Sequence, residues 1–374
     1  MRVLHFGRFY DDNYGGMERH VAVLLDALKD EIEVANVVAN DRFRFEVNRE
    51  RGYPIYKVPS LGLAAGMALC PSMPFVLRDI HRRTPIDIVH LHFPDPMSHF
   101  ASGVLPATVK RVVTWHSDIV RQRRLLPLYR PFLDAFLRRA DAVILPTPAH
   151  LSSSRQLDAV ADASRFHCVP FGFDLSQFQE RPAEADALRE RYAGRPLVFA
   201  LGRHVYYKGF EFLIEAMRSL PQAVLVLGGQ GPLTETLRRL ASGSGLGERV
   251  DFVGRLPEER LAAYYHACDV FCMPSVERSE AFGIVQVEAM ACGKPVVCCE
   301  LGNGVTYVNR HGETGLVVPP RDAHALAAAI GSLLADPGLA QRLGARGRAR
   351  VGSEFTLRAM RFGTLAVYRG LLPE

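Results

Sequence analysis

The sequence predicts an α/β protein with two doubly wound parallel sheets. The chain has 374 residues, and short apolar runs alternate with helical patterns along its whole length. A chain of this length usually exceeds what one hydrophobic core organises, so we expect two domains. Apolar strands without polar alternation, separated by helices, are typical of parallel sheets covered on both faces.

The elements follow one another in a regular order. The first strand candidate is 3–6, and a helix is predicted from about Met17 because its apolar residues recur on one face. Further strand candidates lie at 33–38, 86–92, 111–115, 142–146, 197–202, 223–228, 250–254, 269–274 and 294–299. A last helix is predicted over about 355–371, after a glycine-rich break at Gly344, Gly347 and Gly352.

The domain boundary is predicted within 168–178, where a strand ends in Pro170 and Gly172 before a charged stretch. We expect domains at 1–170 and 171–354, with 355–374 returning to the first domain. Two such halves form a cleft at the carboxyl ends of their sheets, where open α/β sheets bind ligands.

Composition excludes several classes of protein. With 48% hydrophobic and 23% charged residues, the chain is neither disordered nor collagen-like. A net charge of +5 is too small to indicate nucleic-acid binding. Seven cysteines without a C-x-x-C pair predict buried, reduced thiols of a cytoplasmic protein. No secretion signal and no spanning helix is expected, so any membrane contact is peripheral.

The segment 274–297 carries the most chemistry. It predicts a strand end, a loop with Glu280, and a helix that begins near Phe282 and Gly283. The backbone of residues 282–284 at this helix start suits a phosphate, Glu280 suits sugar hydroxyls, and Glu288 suits a ribose. The alternative is a surface glutamate and a helix glutamate without a ligand.

A second segment, 202–210, follows the first strand of the second half. Arg203 and Lys208 lie in a strand-to-helix turn with glycines on either side, which suits a diphosphate whose negative charge grows as it departs. A solvated basic loop is the alternative.

The first half has weaker signals. Gly15 and Gly16 precede a helix and allow a ligand to approach the backbone, although a simple turn explains them too. The G-x-G-x-x-G dinucleotide fingerprint is absent. His116 and Asp118 follow a strand, and His116 could contact a sugar or be satisfied by local backbone.

Two further histidines, His90 and His92, share one side of a strand and could form a metal pair. We expect them to be structural, because the sequence suggests no third ligand nearby. The basic, aromatic stretch 121–139, which Pro127 and Pro131 are expected to interrupt, suits an anionic membrane surface or a helix–core seam, and single-stranded nucleic acid less well.

Together these segments resemble the family 4 retaining glycosyltransferases, which use nucleotide sugars and have two Rossmann-like domains (the GT-B fold). The resemblance covers essentially the whole chain and rests on four motifs, of which Glu280 and Glu288 with seven residues between them are the most specific. The motifs are Gly15-Gly16-Met17-Glu18, Thr114 to Asp118, Gly202-Arg203 with Lys208-Gly209, and Glu280 to Ile284 with Glu288-Ala289 and Gly293 to Val296.

The resemblance implies a role for each residue. Arg203 and Lys208 would bind the donor diphosphate with Gly15 and Gly16 nearby. Glu280 and the backbone of Phe282, Gly283 and Ile284 would bind the donor sugar and phosphate. Glu288 would bind the ribose and the backbone around Arg255 the base, while His116 would contact the transferred sugar. The first domain would be the acceptor side and the second the nucleotide-sugar side.

The sequences of these motifs are similar to those of bacterial mannosyltransferases that use GDP-mannose to build lipopolysaccharide or exopolysaccharide. This similarity implies a lipid-linked oligosaccharide acceptor carried by polyprenyl diphosphate at the cytoplasmic face of the inner membrane. It also implies no metal, in agreement with the absence of a D-x-D triplet. The alternatives are a transferase using a UDP- or ADP-sugar, a nucleotide-sugar epimerase, and a non-catalytic nucleotide-sugar binding protein.

Overall fold

The protein folds into two compact units. The computed structural model describes residues 1–9, 16–64, 67–119 and 124–372. The first unit contains Met1–Phe173 together with Leu357–Glu374, and the second contains Asp174–Thr356. Each unit is built around one parallel sheet with helices packed on it, so the predicted fold class is confirmed.

The first unit has an eight-stranded sheet and a two-stranded hairpin. The strands are β1 Arg2–Phe9, β2 Glu33–Ala39, β3 Glu46–Asn48, β4 Ile55–Val58, β5 Leu63–Ala64, β6 Met67–Ala68, β7 Ile88–Phe93, β8 Lys110–Trp115, β9 Ala142–Leu145 and β10 Phe166–Cys168. The sheet order is β10-β9-β8-β7-β1-β2-β4-β3, with β3 antiparallel and β5 and β6 forming the hairpin.

Six helices belong to this unit and its core lies on both faces of the sheet. They are α1 Gly16–Leu28, α2 Met73–Arg83, α3 Pro96–Ser102, α4 Leu126–Arg139, α5 Pro148–Ser153 and α14 Leu357–Leu371. The last of these packs on α1, where Met360 and Tyr368 join the core around Leu24. The chain thus returns to its first domain after the second unit.

The second unit has a six-stranded sheet and eight helices. Its strands are β11 Leu197–Leu201, β12 Val224–Gly228, β13 Val250–Gly254, β14 Val270–Met273, β15 Val296–Cys299 and β16 Gly315–Val318. Its helices are α6 Glu184–Arg191, α7 Phe210–Ala216, α8 Thr234–Gly243, α9 Glu258–Ala267, α10 Ile284–Ala291, α11 Gly304–Val308, α12 Ala323–Ala335 and α13 Pro337–Glu354. The sheet order is β13-β12-β11-β14-β15-β16, and all neighbouring strands are parallel.

This order is the 3-2-1-4-5-6 arrangement of dinucleotide-binding folds. From β11 the chain winds outward to β12 and β13, then crosses back to β14 on the other side of β11. The neighbours β11 and β14 therefore flank the switch point, where sheets of this type bind ligands.

Three expectations from the sequence are wrong. The glycines at 344, 347 and 352 do not break the chain, because α13 runs through all of them. A Cβ on Gly344 would lie 2.0 Å from the carbonyl oxygen of Gly293, so glycine there lets the helix approach the backbone closely. The two prolines do not interrupt α4 either. Pro127 lies in its first turn and Pro131 inside it, and the helix continues to Arg139. Finally, Cys168 is exposed, whereas the other six cysteines are buried.

Candidate functional site

Two segments flank the switch point of the second sheet. The turn 202–209 follows β11 and includes a single 3-10 turn, Tyr206–Lys208. The loop 274–283 follows β14 and leads into α10. Both segments therefore extend from the carboxyl ends of adjacent strands.

Backbone contacts hold these two segments together. Gly209 begins α7 with φ of 65°, and a Cβ there would lie 2.2 Å from the carbonyl oxygen of Pro274. The N–H of Val276 donates to the carbonyl oxygen of Tyr207 at 2.8 Å. Glycine is required at 209 both by the left-handed backbone and by this close approach.

Lys208 and Glu280 form an ion pair. The sequence assigns these two residues to different parts of the donor. Lys208 Nζ contacts Glu280 Oε2, and only 12% and 13% of the two side chains are exposed. Ser275 Oγ donates a second hydrogen bond to the same carboxylate oxygen at 3.1 Å. The lysine charge offsets a carboxylate that would otherwise repel a phosphate here.

Arg203 and Arg255 differ from Lys208. Arg203 lies in the turn after β11 and Arg255 directly after β13, and both side chains are exposed. Within the described ranges neither arginine has a carboxylate partner. Both guanidinium groups are thus available to an anionic ligand at the carboxyl edge of this sheet.

The start of α10 agrees with the predicted helix boundary. Gly283 is the N-cap with φ of 77°, and a Cβ there would lie 2.7 Å from the sulfur of Met273. Phe282 is buried, with its ring 5.8 Å from that of Phe355, whereas 40% of Ile284 is exposed. The buried phenylalanine anchors the helix start, and Ile284 faces outward.

Glu288 lies one turn further along α10. Tyr265 Oη donates to Glu288 Oε2 at 2.7 Å. Burial, with the Glu288 carboxylate beside it, holds the pKa of Tyr265 well above its ordinary value, so the phenol keeps its proton. This bond fixes one carboxylate oxygen of Glu288.

Sequence reasoning missed the residues that hold the 274–283 loop. Asn303 Nδ2 donates to the carbonyl oxygens of Glu280 at 2.6 Å and Arg278 at 3.4 Å, while its Oδ1 caps α11 by accepting from Val305 N–H. Gln286 Nε2 donates to the carbonyl oxygen of Phe282 at 2.9 Å. The Gly302-Asn303-Gly304 run carries a capping signal, but nothing in the sequence indicates that its amide also reaches Glu280.

In the first unit, Gly16 begins α1 and is exposed, whereas Gly15 lies outside the described residues. The motif residue Glu18 is 4% exposed and accepts from Arg8 Nε at 3.0 Å. Glu18 therefore ties the first turn of α1 to the end of β1.

His116 follows β8, and its Nε2 lies 3.0 Å from His92 Nδ1. Its ring also stacks on Phe171 and meets the edge of His20 on α1. Asp118, in contrast, is occupied by local hydrogen bonds: it accepts from Trp115 Nε1 and from Ser154 Oγ. Asp118 Oδ1 thus has two local partners, whereas His116 contacts only other aromatic rings in these interactions.

His116 ends a continuous chain of buried hydrogen bonds. In order, this chain joins Thr114, His90, Tyr368, His5, His92 and His116. We call His5, His20, His90, His92 and His116 the histidine cluster. Burial lowers the pKa of every member, to about 3 for His5 and about 4 for His20, and well below the ordinary value for the other three. The cluster is therefore neutral at pH 7.

His90 and His92 were expected to be structural because the sequence suggests no third ligand near them, and this reason does not hold for His92. His90 does bond to Tyr368 and Thr114. However, His92 has other imidazoles nearby, and the ring nitrogens of His20, His92 and His116 all lie within 4.8 Å of one another. Because His20, His92 and His116 are far apart in the sequence, their spacing does not indicate that they lie together in the structure.

The stretch 121–139 is described from Arg124 onward, so Arg121 and Arg123 lie outside the described residues. Helix α4 buries Leu133, Phe136 and Leu137. Its other face forms, with α3, an exposed apolar surface that we call the α4 patch: Phe100, Leu125, Leu128 and Phe132. Over the described ranges, no single helix is long and apolar enough to cross a bilayer, and one pair bent by 101°, α12 with α13, meets both criteria jointly.

Comparison with known proteins agrees with this geometry. Residues 14–177 match the glycosyltransferase family 4 model, and residues 184–350 match the model for glycosyl transferases group 1. The chain is 32% identical to the O-antigen chain mannosyltransferase C of Escherichia coli over 100% of this chain and 99% of the relative. It is 37% identical to a GDP-mannose-dependent α-(1-6)-phosphatidylinositol monomannoside mannosyltransferase of Mycolicibacterium smegmatis over 60% of this chain and 61% of the relative.

Among solved structures, the sucrose-phosphate synthase of Thermosynechococcus elongatus superposes with a TM-score of 0.78 and 27% identity, covering 99% of this chain and 98% of that one. Two family models span the two units, and a relative above 30% identity is matched along its full length. The chain therefore belongs to the family 4 glycosyltransferases with the GT-B fold, enzymes that transfer a sugar from a donor to an acceptor.

Proposed function

We propose that this glycosyltransferase transfers mannose from GDP-mannose, with retention of configuration, to a lipid-linked oligosaccharide during the synthesis of a bacterial surface polysaccharide. The full-length similarity to an O-antigen chain mannosyltransferase carries this proposal. The mycobacterial relative, whose name specifies GDP-mannose, supports the choice of donor.

In this proposal the switch point of the second sheet binds the donor. Arg203 and Lys208 neutralise the diphosphate, and the backbone of Phe282, Gly283 and Ile284 contributes at the helix start. Glu280 bonds to the sugar hydroxyls, Glu288 to the ribose, and the backbone at Arg255 meets the base. The contact between Lys208 and Glu280 supports this assignment, because it puts a cation for the phosphate beside an acceptor for hydroxyls.

The first unit contributes His116, which contacts the transferred sugar, with Gly15 and Gly16 near the diphosphate. His116 follows β8, at the carboxyl edge of the first sheet, and Gly16 begins α1, the helix that follows β1. A neutral imidazole at His116 suits hydrogen bonding to a hydroxyl without adding a charge at the reacting carbon.

The reaction makes one bond and breaks one. The acceptor hydroxyl oxygen bonds to C1 of the sugar while the bond from C1 to the phosphate oxygen breaks on the same face. The hydroxyl proton passes to the departing phosphate. One additional negative charge develops on GDP as the C1–O bond breaks. Arg203 and Lys208 stabilise this charge until the hydroxyl proton arrives, and we propose that these cations make a metal unnecessary for transfer.

We also propose that the α4 patch contacts the cytoplasmic face of the inner membrane, where the acceptor is carried on polyprenyl diphosphate. Leu128 and Phe132 are 75% and 55% exposed, and Arg124 and Arg139 nearby are exposed cations. Apolar side chains rimmed by arginines suit the interface of an anionic bilayer.

Vesicle flotation tests this membrane contact. Leu128→Glu should weaken binding to vesicles of anionic lipid, and Arg124→Glu should weaken it in a salt-dependent way. Phe362→Glu, which changes an equally apolar, 50% exposed residue on α14, is the matched control and should bind as the wild type does. Equal flotation of all three variants would contradict the proposal that the α4 patch contacts the membrane.

A donor screen tests the function itself. We expect GDP to raise the melting temperature of the protein more than UDP or ADP, because a ligand that binds only the folded state stabilises it by mass action. With membrane extract as acceptor, GDP-mannose should be consumed and a mannosylated lipid should appear. Preference for UDP would favour a UDP-sugar transferase, and donor conversion without acceptor would favour an epimerase.

A further inference from the structure

We propose that His20, His92 and His116 form a binding site for a divalent transition-metal ion such as Zn²⁺ or Co²⁺. Their ring nitrogens lie within 4.8 Å of one another. The three side chains come from α1, from β7 and from the residue after β8, so three separate elements of the first unit meet at this point.

The ligand chemistry favours a borderline metal over magnesium or calcium. All three candidate ligands are imidazoles, which suit Zn²⁺, Co²⁺, Ni²⁺ and Cu²⁺, whereas Mg²⁺ and Ca²⁺ require oxygen ligands. Three histidines around a zinc ion with a fourth position for water is the arrangement of open zinc sites. His20 and His116 are only half-buried, so an ion can reach them from solvent.

The hydrogen bonds behind the site support metal binding. A metal at His92 Nδ1 and His116 Nε2 would replace the hydrogen bond that now joins these atoms at 3.0 Å. His92 would then carry its proton on Nε2, which lies 3.2 Å from His5 Nδ1. His5 continues the chain to Tyr368 at 3.2 Å. A ligating histidine whose second nitrogen donates to a fixed partner is oriented for coordination.

Metal occupancy has a consequence that rests on the proposed function. A metal held by His116 removes that side chain from contact with the transferred sugar. Zn²⁺ should therefore inhibit transfer, and donor should protect against this inhibition. The binding measurements below do not depend on this consequence, so a failure of the donor assignment would leave them intact.

Cobalt absorption of the full-length, chelator-treated protein tests the site. Addition of Co²⁺ should produce visible d–d bands that saturate at one ion per chain, and Zn²⁺ should abolish them. His20→Gln should weaken Zn²⁺ affinity in calorimetry by more than the roughly 10–100-fold that the loss of an outer-shell partner costs. The melting temperature without metal should stay close to that of the wild type, which separates lost ligation from misfolding.

Two further variants sharpen the test. His20→Cys replaces one ligand by another and should restore binding with a new sulfur-to-cobalt charge-transfer band. His324→Gln removes an exposed histidine of α12 and should leave binding unchanged. Absence of cobalt bands in the wild type would overturn the proposal. Bands that are identical in His20→Gln would equally overturn this assignment, because the ion would then be bound elsewhere.

Discussion

The switch point of the second sheet is charged, whereas the histidine cluster of the first unit is neutral. Lys208 and Glu280 pair in the second unit, with Arg203 exposed in the same turn. In the first unit five imidazoles are held uncharged by burial. In the proposed function the diphosphate requires cations, which the second unit supplies at Arg203 and Lys208, whereas the neutral imidazole of His116 bonds to hydroxyls without adding a charge.

The two regions also differ in what stabilises them. The switch point of the second unit is held by a contact between opposite charges, Lys208 and Glu280. A buried imidazole that stays neutral destabilises the folded state in acid, because the unfolded chain then binds a proton that the folded chain does not. The comparison therefore predicts that acid affects the first unit before the second.

The largest expected effect is the loss of stability of the first unit in acid. The pKa of each clustered histidine is lower in the folded state than its ordinary value of about 6.5, so the unfolded chain binds more protons as the pH falls. Stability is complete above pH 6.5 and is lost as the pH drops toward the folded values, about 4 for His20 and about 3 for His5. At pH 5.5 each such histidine lowers the free energy of unfolding by about 1.4 kcal/mol relative to neutral pH, and the cluster lowers it by several kcal/mol.

Tryptophan fluorescence can measure this effect in one unit. Trp115 is the single tryptophan of the chain; it is fully buried, stacks on Phe93 and precedes His116. Its urea unfolding midpoint should be clearly lower at pH 5.5 than at pH 7.5. An unchanged midpoint would mean that the histidines are protonated in the folded state, and would remove the contrast between the units.

The next effect concerns the charged region. Lys208→Ala and Arg203→Ala should each lower kcat by roughly 10²-fold or more, since in the proposed function each removes a group that stabilises the departing diphosphate. Arg218→Ala is the control, because Arg218 is an exposed arginine of the same unit that pairs with Glu215. Near-normal turnover in both test variants would contradict the diphosphate assignment.

The partner of Lys208 gives a more selective test. Glu280→Gln keeps the shape of the side chain but loses the charge, so turnover should fall while GDP affinity, measured by calorimetry, changes only a few-fold. The double variant Lys208→Ala/Glu280→Gln should lose less than the sum of the two single losses, because contacting residues are coupled. Strict additivity would show that the pair does not act as a unit.

The sequence predicted the fold more completely than the site. Buried parallel strands such as β11 and β14 are continuous apolar runs, and such runs can be read directly. The strands β4, Ile55–Val58, and β16, Gly315–Val318, were missed. Both have half-buried central residues, whereas the equally short β14 is buried throughout. The glycines of α13 were misread. Gly344 allows the helix to approach the backbone of Gly293, a contact that sequence spacing does not reveal.

For the site, the sequence indicated which residues take part but not which of them contact one another. Lys208 and Glu280 were each recognised from their local motif, yet their pairing joins positions 72 residues apart. The histidine cluster is a stronger case, since its hydrogen bonds connect His5 to Tyr368 near the other end of the chain. Both arrangements depend on strands that are neighbours in the sheet but distant in the sequence: β11 and β14 lead into the segments with Lys208 and Glu280, and β1 and β7 carry His5, His90 and His92.

The smallest expected effect concerns Asn303, which touches the charged region only through the backbone of Glu280. Asn303→Asp keeps the oxygen that caps α11 but replaces the amide that donates to the Glu280 carbonyl oxygen. We therefore expect a melting temperature close to that of the wild type and a kcat lower by about tenfold, the equivalent of one lost hydrogen bond of ~1.4 kcal/mol.

The donor KM should change less than kcat, because in the proposed function Arg203 and Lys208 still bind the diphosphate while Glu280 is displaced from the sugar. Asn48→Asp makes the same chemical change on the edge strand β3 of the first unit and should alter neither quantity. A lower melting temperature with unchanged kcat in Asn303→Asp would assign Asn303 to capping alone, and the loop that presents Glu280 would then be held by Gln286 and Ser275.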